Sequence, residues 1–106
     1  MGELSYKDVR VEFDDTVLAH LQIVIVNKLR RREAFAMTWK GSARNPDGRT
    51  TIWLDPGVAF TIDYDSFQTP DIDREWIQKL AISASSPNGL VITDDCGRPV
   101  TGSILT

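Results

Sequence analysis

Between Asp15 and Arg32 the apolar positions recur at the period of a helix. At about 100° per residue, Val17, Leu18, Leu21, Val24, Ile25 and Leu29 form one broad arc. A second, narrower apolar strip carries Ala19, Ile23 and Val26. Between them runs a thin polar stripe of His20, Asn27 and Arg31. A helix apolar on two sides belongs at the centre of a small domain, packed on a sheet and partly covered by another element. The segment LQIVIV (21–26) is rich in β-branched residues, which favour strands, so a short strand competes there. The absence of Gly and Pro favours the helix, as do Asp14 and Asp15 at its start and Lys28 to Arg32 at its C-terminal end, where the negative end of the helix dipole attracts cations.

Elsewhere the pattern changes to a period of two. Leu4 and Tyr6 precede a Lys7-Asp8 turn, and Val9, Val11 and Phe13 then alternate with Arg10 and Glu12, which predicts a hairpin. Phe35, Met37 and Trp39 alternate with Ala36, Thr38 and Lys40 in a further strand. Gly41–Arg49 is a loop around the turn sequence Asn45-Pro46-Asp47-Gly48. Thr50–Leu54 and Val58–Tyr64 are expected strands of one hairpin, joined by Asp55-Pro56-Gly57. Trp53 points away from the side that Ile52 buries, so it either meets a second covering layer or is left for a partner. A second helix starts near Asp71 or Asp73, presents Trp76, Ile77, Leu80 and Ala84, and stops at Pro87-Asn88-Gly89. Leu90–Thr93 is a last short strand, and 94–106 is a tail or one more strand turning back at Cys96-Gly97.

The order β-β-α-β-β-β-α-β, with short connections and no repeat, predicts an α+β domain over 1–93. Its sheet should be mostly antiparallel, with two helices packed on it. With 106 residues and 42% hydrophobic content there is room for one core. The lone Cys96 excludes an intrachain disulfide and a multi-cysteine metal site. No apolar run approaches a membrane span, and MGELSYKD lacks the features of a secretory signal, so a cytoplasmic protein without membrane contact is expected.

The net charge of −3 conceals two opposed segments. From Lys28 to Arg49 seven Lys and Arg residues meet two acidic ones, whereas from Leu54 to Glu75 six acidic residues meet one arginine. Either the basic segment contacts an anionic partner, or the two segments attract each other between copies.

Motifs for chemistry are sparse. His20, on the polar stripe, has a general base or anion site as its functional reading and local hydrogen bonding as its ordinary one. On that stripe its truncation is expected to be mild beside that of Leu21 or Ile25. Cys96 lacks a second histidine or cysteine partner. Asp55, Asp63 and Asp65 flank the expected hairpin but lack the alternate spacing of an EF-hand loop. No glycine pattern fits a phosphate loop. No cofactor, metal site or catalytic residue is therefore expected.

The segments LAHLQIVIVNKLRRREAFAMTW, GRTTIWLDPGVAF and WIQKLAISASSPNGL resemble a group of small actinobacterial proteins often labelled ATP-dependent DNA ligase. The resemblance covers most of Asp15–Leu90, and its signatures (KLRRRE-x-F, TTIWLDP, SPNG-L) carry no catalytic role onto this chain. The nucleotidyl-accepting Lys-x-Asp-Gly of ligases is absent: Lys7, Lys28, Lys40 and Lys79 are each followed by other residues. What the label implies is at most an association with DNA metabolism.

The remaining candidate site is the basic segment. Arg30, Arg31 and Arg32, with Lys40, Arg44 and Arg49, form a candidate phosphate-contacting surface, and Trp39 or Trp53 would add stacking for single strands. The expected function is thus a small non-enzymatic binding module with nucleic acid as partner. The alternative is a protein-interaction or homo-oligomerisation module.

Overall fold

The computed structural model describes residues 1–105; Thr106, the end of the expected tail, lies outside the described residues. In chain order the elements are β1 (Gly2–Tyr6), β2 (Val9–Phe13), α1 (Asp15–Arg30), β3 (Phe35–Lys40), β4 (Arg49–Leu54), β5 (Phe60–Asp63), α2 (Arg74–Ala84), β6 (Leu90–Val91) and β7 (Ser103–Leu105). The fold is α+β and mostly antiparallel. No helix among the described residues is long and apolar enough to cross a membrane.

The strands divide into two sheets, ordered β5-β1-β2-β7 and β4-β3-β6. In the first, Tyr6 faces Val9 across the Lys7-Asp8 turn, and Lys7 takes a φ of 52°, as a two-residue hairpin turn demands. In the second, β4 runs antiparallel to β3, and β6 runs parallel to β3 on its other side. The hairpin expected at Asp55-Pro56-Gly57 does not form, because β4 pairs with β3 whereas β5 pairs with β1. The Pro-Gly connection passes the chain from one sheet to the other instead. Tyr6 marks that passage: its hydroxyl oxygen accepts the Asp55 N–H at 3.0 Å.

On the opposite side the sheets meet through the segment after Thr93. The Lys40 N–H donates to the Val100 carbonyl at 3.0 Å, and the Gly102 N–H donates to the Lys40 carbonyl at 2.9 Å. The chain then enters β7 and pairs with β2. Gly102 has no room for a side chain there: a Cβ would stand 2.7 Å from both Trp39 and Val11.

Helix α1 fills the interior. Leu18, Leu21 and Ile25 are fully buried, together with Val11 and Phe13 of β2 and Met37 and Trp39 of β3. Burial on several sides outweighs the strand propensity of LQIVIV, because tertiary packing decides where intrinsic preferences differ by only tenths of a kcal/mol per residue. The helix ends at Arg30, two residues short of the expected Arg32. Arg32 has a φ of 62°, its N–H donates to the Leu29 carbonyl, and the Glu33 N–H donates to the Lys28 carbonyl. This is a Schellman ending with arginine in place of the usual glycine.

Helix α2 is capped by Asp73, whose carboxylate accepts the N–H groups of Glu75 and Trp76. Its buried face is Trp76, Leu80 and Ala84, and the Trp76 indole N–H donates to the Thr93 carbonyl at 2.7 Å.

His20 links the two helices and is only 1% exposed. The Asp73 N–H is an obligate donor and lies 2.9 Å from Nε2, so Nε2 accepts. Nδ1 then carries the proton and donates to the Thr16 carbonyl at 2.7 Å. The ring stacks on Trp76 with centroids 4.1 Å apart. Both nitrogens are satisfied, so the histidine is a structural joint between α1 and the start of α2.

Candidate nucleic-acid interface

Alternation along β3 and β4 sorts their side chains onto two faces. Phe35, Met37, Trp39 and Leu54 turn inward and are buried. Ala36, Thr38, Lys40, Arg49, Thr51 and Trp53 turn outward, in cross-strand pairs Ala36–Trp53, Thr38–Thr51 and Lys40–Arg49. Val91 of β6, opposite Thr38, extends the outer surface to the third strand. Among the described residues no layer covers this face: Trp53 is 61% exposed and Val91 38%.

Trp39 and Trp53 therefore have opposite fates. Trp39 is 1% exposed, and its ring meets Phe13 edge-on at 5.8 Å. Trp53 lies free on a three-stranded surface. A solvent-facing indole gives up the stabilisation that its large apolar area would gain on burial; Phe67 and Ile82, away from this face, are more exposed still.

Two depressions of about 320 Å³ each bracket the centre of this face, a volume at the lower end of the range of ligand sites. One lies beside Trp53 and Ala36, bounded by Lys28, Glu33 and the end of α2 at Ala84–Ser86. The other lies beside Lys40 and Arg49, with Thr38, Val91 and Pro99. Between them the hydroxyls of Thr38 and Thr51 are hydrogen-bonded at 2.7 Å. Ala36 and Lys40 are four residues apart in the strand, which sets the depressions roughly 13 Å from each other.

The six basic candidates fall into two groups. Lys40 and Arg49 are brought side by side by the β3–β4 register, and Arg44 stands exposed in the loop joining these strands. Arg30, Arg31 and Arg32 surround the end of α1, near the start of β3, and all three are exposed. Phe35 to Lys40 is five steps of about 3.3 Å, so roughly 17 Å of strand separates the groups. They do not merge into one patch, and the Trp53 face lies between them.

Lys28 belongs to neither group. It is 8% exposed, and its ammonium donates to Glu33 at 3.0 Å. That hydrogen bond holds the Glu33 carboxyl below the usual glutamate range. Arg31 also has a local partner, the Asn27 carbonyl at 3.2 Å.

The outer face of the other sheet has the opposite character. Register places Asp63, Glu3 and Glu12 in one row across β5, β1 and β2. Like charges directly opposite repel, and Arg10 relieves part of this by donating to both oxygens of Glu3 at 2.6 and 3.2 Å. The Glu3 carboxyl is held low, chiefly by that hydrogen bond. Basic and aromatic groups thus occupy one sheet's outer face, and carboxylates occupy the other's.

The acidic candidates are structural or dispersed. The Asp55 carboxylate accepts the Gly57 N–H at 2.8 Å, whereas Asp63 lies on the first sheet and Asp65 contacts the N-terminal ammonium. Among the described residues, Asp94, Asp95 and Cys96 bring three ligand atoms within 4.8 Å. There Asp94 already accepts the N–H groups of Cys96 and Arg98, each at 2.9 Å, and the Arg98 hydrogen bond leads in holding its carboxyl low. Cys96 is an exposed free thiol in that turn.

Thr38, Thr51 and Val91 were not among the residues expected at a site. The i, i+2, i+4 placement of Arg49, Thr51 and Trp53 is the signal that identifies the outward face of β4. Val91 joins only through the parallel β3–β6 pairing, which no local pattern announces.

No curated protein and no solved structure matches the chain. The model of one family, described as a domain of unknown function, DUF7882, matches residues 1–95, and the chain belongs to that family.

Proposed function

We propose that this protein is a small non-catalytic module that binds single-stranded nucleic acid in the cytoplasm on the open face of the β4-β3-β6 sheet. The observation that carries the reading is Trp53, 61% exposed on a sheet surface whose outward row ends in Lys40 and Arg49. An unpaired base presents a π-face to an indole, while lysine and arginine alongside contact the backbone phosphates. Arg44 extends the cationic end, and Arg30, Arg31 and Arg32 offer phosphate contacts beyond the Trp53 end. An open sheet face with an exposed aromatic suits unstacked bases better than a duplex, whose bases are hidden from stacking. The resemblance to the actinobacterial group labelled DNA ligase agrees with a role beside DNA but contributes no residue to the site.

The test is fluorescence anisotropy with short labelled single strands and with duplexes of the same sequence, over a series of salt concentrations. Trp53→Ala is expected to weaken single-strand binding by about 1–3 kcal/mol, the usual worth of one stacked base. Replacing Lys40 and Arg49 by alanine should flatten the dependence of log affinity on log salt by about 0.7 for each phosphate that the variant no longer neutralises. Undiminished binding by Trp53→Ala, or no binding by the native protein at low salt, would refute the proposal.

A further inference from the structure

Strand β4 is the outer strand of its sheet, and the backbone directions along it can be worked out. In a strand, the N–H and C=O of one residue point to the same side, and successive residues alternate. The Thr38 carbonyl accepts from Ile92, and Lys40 exchanges hydrogen bonds with Val100 and Gly102. Thr38 and Lys40 therefore direct their backbone groups away from β4, and Phe35, Met37 and Trp39 direct theirs toward it. Their register partners Leu54, Ile52 and Thr50 complete that ladder. It follows that Arg49, Thr51 and Trp53 turn their N–H and C=O groups to the opposite side, where β4 is the last strand of the sheet.

This edge lacks the devices that usually protect one. It is six residues long, has no proline and no bulge, and pairs with β3 in unbroken register. The other terminal strands of the two sheets are shorter: β5 has four residues, β7 three and β6 two. Its sequence RTTIWL combines β-branched and aromatic residues, with its one charge at the end.

We propose that β4 pairs antiparallel with β4 of a second copy about a two-fold axis at Thr51, joining the two three-stranded sheets into one of six strands. The register follows from which groups are free. With the axis at Thr51, the two Thr51 residues exchange hydrogen bonds, and each Arg49 exchanges them with the Trp53 of the other copy. All three outward-facing residues of each strand are then used. Moving the axis to Ile52 would demand the Asp55 N–H, which Tyr6 already holds. Moving it to Thr50 would leave Trp53 beyond the partner's strand.

The chosen register is also the complementary one. It sets each Arg49 across from an indole rather than from another arginine, both on the open face, where a guanidinium and a π-system attract. The two open faces become one continuous surface with two exposed tryptophans. Arg49 and Trp53 belong both to this pairing and to the proposed nucleic-acid surface, so the pairing is measured in the absence of nucleic acid.

Sedimentation of the native protein across a concentration series tests the pairing. A dimer is expected, and it should resist added salt, because backbone hydrogen bonds rather than opposed charges hold it. Thr51→Pro removes an outward N–H that the β3–β4 ladder does not use, a position where an edge strand accepts proline. This variant should keep the native circular dichroism and melt cooperatively, yet sediment as a monomer. The register is tested by Thr51→Cys in a Cys96→Ser background. Hydrogen-bonded partners lie about 5.5 Å apart between Cα atoms, within the range a disulfide spans. Mild oxidation should cross-link this variant fully, while Thr61→Cys in the same background, on the outer face of β5, should stay uncrosslinked. A native protein monomeric up to about 1 mM would overturn the proposal. So would a dimer that folded Thr51→Pro leaves intact, or one whose Thr51→Cys variant fails to cross-link.

Discussion

Truncation of His20 separates a buried joint from a solvent-facing polar residue. The ring is 1% exposed, stacks on Trp76, and accepts the backbone N–H that opens α2. His20→Phe keeps a stacked aromatic but leaves the Asp73 N–H without its acceptor, which costs about 1–3 kcal/mol. His20→Ala leaves the same group unpaired and adds a cavity where the ring was, with the stacking removed as well. Large-to-small changes in a core cost about 2–5 kcal/mol, and partial collapse or an entering water offsets some of the total. The expected loss for His20→Ala is therefore about 3–5 kcal/mol, comparable with Leu21→Ala. That is a large share of the roughly 5–15 kcal/mol available to a small domain. Urea unfolding at neutral pH measures it, with an unchanged m-value showing that the same surface is exposed. A loss below about 1 kcal/mol for His20→Ala, or His20→Phe as costly as His20→Ala, would refute the account of this joint.

Three further outcomes follow from local geometry. Gly102→Ala should destabilise by about 1–3 kcal/mol through overpacking, because its Cβ would meet Trp39 and Val11 at 2.7 Å and Phe13 at 2.9 Å; urea midpoints equal to the native one would contradict this. Arg32→Gly should raise stability by about 0.5–1 kcal/mol in the same assay, since the left-handed φ of 62° strains a residue with a Cβ and suits glycine. The stability that Glu3, Glu33 and Asp94 contribute should be fully present above their unfolded values of 4.5, 4.5 and 3.8 and should be lost as pH drops below them. The sign follows from the lowered folded values: the unfolded chain binds protons first, so acid favours unfolding, and a melting temperature that rises on acidification would contradict it.

The elements were legible in the sequence to the extent that their signals are local. The period of α1, the alternation of β1 to β4 and the acidic start of α2 each arise within one segment, and each element formed there. Pairing was less legible, because Asp55-Pro56-Gly57 suits a tight hairpin and a passage between sheets equally well. Only the packing of β5 against β1 decides between them. The polar stripe of α1 misled for a related reason. His20 is polar by composition, but the Asp73 N–H and the Trp76 ring arrive from over fifty residues later and make its position interior. At Trp53 the strand pattern stated that it opposed Ile52, and the position of the sheet then settled which of the two faced water. The basic segment was visible as a count of charges, while its division into one group at the end of α1 and another at the far end of β3 came from the length of β3.

The most direct test of the open-face claim is a chemical-shift map of the backbone and tryptophan side-chain amides during titration with an unlabelled short single strand. The shifts should concentrate on Ala36, Thr38, Lys40, Arg49, Thr51, Trp53 and Val91, with the Trp53 indole N–H among the largest. The buried Trp39 and the outer row of Glu3, Glu12 and Asp63 should stay still. Shifts centred on that acidic row, or an unchanged Trp53 signal at saturating oligonucleotide, would contradict it.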